Sequence, residues 1–112
     1  TDQAQKLVAN IVIEHPNLKA VLCANDSMAL GAVTALKAVD KVGKIHVVGY
    51  DNIKAIQQLI LQGSVLCTVD QHGDQIAAFG INHALDILEG KSEGGDKKTP
   101  VELVTAETLK KK

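Results

Sequence analysis

Aromatic side chains are nearly missing from this sequence of 112 residues, which has no tryptophan, one tyrosine and one phenylalanine. Ring stacking by this segment is therefore limited to Tyr50 and Phe79. Long apolar runs are missing too, and none approaches the roughly 18 residues that a membrane span needs. No signal peptide is read at the start, where Thr1 opens directly onto a polar helical pattern. Excess charge of one sign is also lacking. The net charge of -1, with no basic face, argues against nucleic acid as a partner of this segment. The run Lys110, Lys111, Lys112 reads as a solvated tail. Cysteine is scarce. Cys23 and Cys67 each lie inside an apolar run, a pattern that is neither a disulfide framework nor a metal spacing.

What is present is an ordinary globular composition, 46% hydrophobic and 22% charged. A compact domain of this size buries about two-thirds of the surface its unfolded chain exposes. Apolar residues recur at three- and four-residue spacing over residues 3–14, which predicts an amphipathic helix. His15-Pro16 ends it, because a residue before proline disfavours the helical region. Residues 20–24 (AVLCA) form a short continuous apolar run, the mark of a strand buried on both faces. Asn25-Asp26-Ser27 then supplies helix N-cap chemistry, and a helix to about Val39 follows. The alternation repeats: strands at 45–49 and 65–69, helices at 52–61 and 74–88, a polar loop at 90–98, and a last strand at 101–104.

Strands alternating with helices imply an α/β fold, a three-layer arrangement of a parallel sheet flanked by helices. The pattern opens on a helix with no strand leading into it, so the chain is expected to be part of something longer. A strand order that follows the chain would set the two cysteine-bearing strands on either side of a third. Next-but-one strands are about 9.5 Å apart, too far for a disulfide, which reaches about 7 Å between Cα atoms.

In open α/β sheets, ligands bind beyond the carboxyl ends of the strands. There this chain offers Asn25 after the first strand, Asp51 after the second and Gln71 after the third. An amide, a carboxylate and an amide suit a polyhydroxylated ligand. The carboxylate accepts from two hydroxyls, and each amide both donates and accepts. The plainer alternative is that Asn25 caps its helix and the other two are loop residues. Tyr50, Asn52 and His72 are expected at the rim, and Asp26 is expected to do no more than stabilise the start of its helix. Enzyme signatures are missing. No glycine-rich phosphate loop follows a strand, and Ser27 and Ser64 lack a nucleophile elbow. His15, His46 and His83 stand apart from the proposed site, and His72 with Asp74 is short of a metal set. No catalytic residue, cofactor or metal is expected.

The segments VLCANDSMALGAVTAL, IHVVGYDN, CTVDQHGDQIAAFGI and TPVELVTAETL resemble the ribose-type periplasmic binding proteins and the related lac-repressor-type regulators. The resemblance covers essentially the whole chain and corresponds to the carboxy-terminal part of a full member. It implies part of a type I periplasmic binding protein-like fold. Residues 1–70 would belong to the carboxy-terminal lobe, 71–98 would cross to the other lobe, and 99–112 would be a return strand and tail. It implies that Asn25, Asp51 and Gln71 bond a small monosaccharide, a ribose-like pentose or a hexose, between two lobes. It also implies a periplasmic location and, as partners, the membrane permease of an ABC transporter and a missing amino-terminal lobe or a second copy. The effector-sensing lobe of a transcription regulator is the alternative. Regulators usually carry a proline where Gly63-Ser64 stands, and the ending VELVTAETLKKK resembles binding-protein tails. Two positions depart from the family pattern. His72-Gly73 follows Gln71 where many relatives have proline, and Asn52 replaces a small or acidic residue.

Overall fold

The computed structural model describes residues 1–112. The elements run α1 (Asp2–Glu14), β1 (Ala20–Leu22), α2 (Asp26–Ala38), β2 (His46–Val48), α3 (Lys54–Leu61), β3 (Cys67–Asp70), α4 (Gly73–Leu88), β4 (Glu102–Thr105) and α5 (Ala106–Lys110). The sheet order is β1-β2-β3-β4. β1 pairs parallel with β2, Val21 opposite Val47, and β2 pairs parallel with β3, Val48 opposite Cys67. The sheet is flanked by helices, so the α/β class read from the alternation holds. β2 lies between β1, which Cys23 directly follows, and β3, which holds Cys67, and both thiols are free.

The chain forms two compact units: residues 1–70 with 103–112, and residues 71–102. The first holds every fully buried apolar side chain. Ala29, Ala32, Val33, Ala35 and Leu36 of α2 join Val8 of α1, Val47 of β2, Ile56 and Ile60 of α3, Val65 and Val104 in one cluster. Burying a side chain such as Leu36 or Ile56 contributes about 1.5–3 kcal/mol. α1 packs on α2 at Gly31, where a Cβ would overlap the carbonyl oxygen of Thr1. α3 packs on α5.

The second unit is α4 and its following loop, tied by His83 Nε2 to the carbonyl oxygen of Gly95 at 3.3 Å. No residue of α4 is buried. Ile81 is 63% exposed and Leu88 83%. No helix is long and apolar enough to cross a membrane.

The structure corrects the sequence reading in two places. β1 is not buried on both faces. In this chain it is an edge strand, Leu22 is 78% exposed, and of its three residues only Val21 is half-buried, packed against the core. The tail is not wholly irregular either. Thr105 and Thr108 close a reciprocal capping box, Thr105 Oγ1 accepting from Thr108 N at 3.3 Å and Thr108 Oγ1 from Thr105 N at 2.9 Å. That box starts α5, which half-buries Ala106 and Leu109 against the core.

Candidate functional site

The backbone ladder continues past the strands at their carboxyl ends. Cys23 N donates to Val48 O at 2.9 Å, and Asp26 N to Tyr50 O at 2.8 Å. Gly49 N donates to Cys67 O at 3.0 Å, and Asp51 N to Val69 O at 2.8 Å. These bonds bring Asn25, Tyr50 and Asp51 to one end of the first unit's sheet. Gln71, half-buried, follows β3 in the chain and opens the second unit.

Asn25 is the N-cap of α2, its Oδ1 accepting from Met28 N at 2.8 Å. The capping role is thus real, and it leaves the Nδ2 donors as what Asn25 can offer a ligand. Asp51 is exposed and has φ 124, a backbone region that a side chain rarely adopts. Such a residue costs about 1–3 kcal/mol and persists where the surroundings over-determine it, as they often do at binding sites.

The amide of Asn52 faces protein. Its Nδ2 donates to Asp70 Oδ2 at 2.9 Å, and its Oδ1 accepts from Gln57 Nε2 at 2.9 Å. Asn52 sits at φ 61, in the left-handed region that asparagine tolerates. Its side chain thus braces the loop between β2 and α3 from within. His72, expected at the rim, precedes α4 at φ 49, with Nε2 3.5 Å from Glu102 Oε2.

Asp26 requires the clearest correction. The sequence assigns it no more than stabilising the start of α2. Instead it is wholly buried, with Oδ1 accepting from the Thr68 hydroxyl at 2.7 Å and Oδ2 from Ile53 N at 2.9 Å. Sequence reasoning also missed Thr68, a buried polar side chain in the middle of an apolar strand. That position inside VLCTV was the available signal. Burial pushes the Cys23 thiol above the ordinary cysteine value, and the Asp26 carboxylate adds to the shift. Burial alone raises Cys67. Nowhere do three or more His, Cys, Asp or Glu side chains gather as a metal-ligand set.

Residues 1–92 match the family described as periplasmic binding protein domain. The chain belongs to this family. It is 47% identical over 109 residues to the D-ribose/D-allose-binding protein of Pseudomonas aeruginosa, covering 94% of this chain and 34% of that protein. It is 36% identical over 97 residues to the ribose import binding protein of Escherichia coli, covering 87% of this chain and 32% of that protein. Among solved structures it is similar to an ABC transporter periplasmic solute binding protein from Actinobacillus succinogenes 130z with bound D-allose. The TM-score is 0.87 at 32% identity, covering 99% of this chain and 39% of that one. The chain thus spans about a third of the length of the curated relatives it matches. The periplasmic binding protein domain reported by these matches agrees with the α/β class and with the ribose-type resemblance read from the motifs.

Proposed function

We propose that this chain is the carboxy-terminal part of a periplasmic solute-binding protein that captures a small monosaccharide for an ABC transporter. The observation that carries the reading is the placement of Asn25 and Asp51 at the carboxyl ends of adjacent parallel strands. The Asn25 Nδ2 donors and the Asp51 carboxylate are complementary to a sugar's hydroxyls, and Gln71 is the proposed third group. The relatives' names, which give ribose and allose as their ligands, favour a pentose or hexose over other polyols. Those relatives are binding proteins, which favours capture over catalysis and transport over effector sensing. The rest of the site, a membrane permease partner and the periplasmic location belong to the complete protein and follow from the same reading.

Calorimetric titration of the full-length protein with D-ribose and D-allose tests this. Loss of a charged hydrogen-bonding partner costs about 1.5–3 kcal/mol. Asp51→Ala should therefore weaken binding about ten- to a hundred-fold or more. Asn25→Ala and Gln71→Ala should each weaken it less. Unchanged affinity in Asp51→Ala would sink the site.

A further inference from the structure

The capping of α2 does not need Asp26, because Asn25 already accepts from Met28 N. Yet Asp26 is wholly buried, and both of its oxygens are committed away from its own helix. Oδ2 accepts directly from Ile53 N at 2.9 Å. Oδ1 accepts from the Thr68 hydroxyl at 2.7 Å, and Thr68 Oγ1 in turn accepts from Asn52 N at 3.3 Å. The two amides that follow Asp51 thus end on one carboxylate, one directly and one through a hydroxyl. The amide of Asp51 itself is held by Val69 O at 2.8 Å. Three consecutive amides, 51 to 53, are anchored, and the first of them belongs to a residue at φ 124.

Gly49 completes the arrangement. It is buried, and its backbone is not left-handed, so glycine is not needed there for conformation. What it supplies is room. A Cβ at Gly49 would overlap Asp26 Oδ1 and lie 3.4 Å from the Cβ of Ala29. The chain therefore keeps a space beside β2 that the carboxylate fills.

We propose that Asp26, through Thr68, is a positioning residue for Asp51: it fixes the backbone of residues 51–53 and so aims the Asp51 carboxylate at the ligand. This deepens the proposed function and rests on Asp51 being a sugar-binding group. A charge-assisted hydrogen bond is shorter and stronger than a neutral one, and its hold is greatest where water is excluded.

The test uses the full-length protein with Thr68→Val, Thr68→Ser, Asp26→Asn, Asp51→Ala and the pair Thr68→Val with Asp51→Ala. Calorimetry with D-ribose and D-allose reads affinity, and amide hydrogen exchange at Asn52 and Ile53 reads the loop. Thr68→Val should speed exchange at Asn52 and weaken binding about tenfold, as expected for one lost hydrogen bond. Thr68→Ser keeps the hydroxyl and should restore both. Asp26→Asn, which keeps the shape but can accept on one side only, should behave like Thr68→Val. In the Asp51→Ala background Thr68→Val should cost no further affinity, because its effect passes through Asp51. A further loss of the same size there would mean a general structural role and would overturn the proposal. So would unchanged exchange and affinity in both Thr68→Val and Asp26→Asn. If Asp51→Ala binds like the parent, or the parent binds neither sugar, the sugar-site reading fails instead. Exchange at Asn52 and Ile53 then decides by itself whether the carboxylate holds the loop.

Discussion

The two units of this chain put similar apolar residues to opposite use. In residues 1–70 and 103–112, the apolar faces of helices and strands meet and produce side chains as inaccessible as Leu36 and Ile56, both 0% exposed. In residues 71–102, α4 carries Ile76, Phe79, Ile81, Leu85, Ile87 and Leu88, and none of them is buried. Periodicity makes a helix amphipathic in both cases. Burial needs a second apolar surface as well, and a lone helix with a polar loop does not provide one within its own unit. Exposed apolar area on this scale ordinarily marks a surface that another element covers.

The sharpest way to break this contrast is to cut the same chemistry from both units. In this chain Leu36→Ala should destabilise by about 2–5 kcal/mol, since it removes a packed side chain and leaves a cavity. Leu88→Ala should stay within about 0.5 kcal/mol, as exposed substitutions do. Urea unfolding of the two variants measures both. Equal losses would show that α4 is packed as tightly as α2. Ile81→Ala, compared in this chain and in the full-length protein, sharpens the point, because a loss of about 2 kcal/mol or more in the full-length protein alone would show that residues outside this chain bury α4.

A comparable effect separates the core of the first unit from its ligand-facing end. Asp26→Ala leaves the Thr68 hydroxyl and the Ile53 amide without their shared acceptor. The buried Thr68 hydroxyl and the part-buried Ile53 amide cost about 1–3 kcal/mol each when left unsatisfied, so the variant should lose about 2–6 kcal/mol, and a loss of only about 1 kcal/mol, typical of a surface cap, would contradict the buried geometry. Thermal or denaturant melts decide between the two.

The smallest expected effect concerns the thiols that flank β2. Burial raises Cys23 above the ordinary cysteine value, with the Asp26 carboxylate adding to it, and burial raises Cys67 as well. A thiol with a raised value in the folded state holds its proton when the unfolded chain has lost it. Stability from this source is therefore present below the ordinary cysteine value and declines as pH rises from there toward the raised folded value. Denaturation midpoints across that alkaline window should fall less in a Cys23→Ala variant than in the parent. At mildly alkaline pH, Cys23 should also alkylate more slowly than an unfolded thiol. Equal rates would remove the burial argument.

Much of this fold could be read before any coordinates. The stop at His15-Pro16 and the N-cap Asn25 rest on contacts within a few residues, and the helix–strand alternation is written in local apolar periodicity, so their signals are contained in short windows. The rank of β1 as an edge strand could not be read that way, because an apolar triplet looks the same in the middle of a sheet. α5 escaped for a related reason. Its Thr105–Thr108 box is local and visible in hindsight, but a five-residue helix in a lysine-rich tail is held by the core side chains it touches.

At the candidate site the same division applies to single residues. The sequence by itself determined which groups stand at the strand ends, because Asn25 directly follows one apolar strand run and Asp51 follows another after Tyr50. Only the tertiary structure decided what Asp26, Asn52 and Thr68 do. The partners of Asp26 are 27 and 42 residues away along the chain, and the Asp70 partner of Asn52 is 18 away. A carboxylate beside a helix start is surface decoration or a buried anchor according to whether distant donors converge on it. That convergence exists only once parallel strands have been brought side by side, since side-chain hydrogen bonds depend on distance in space and not on distance in sequence.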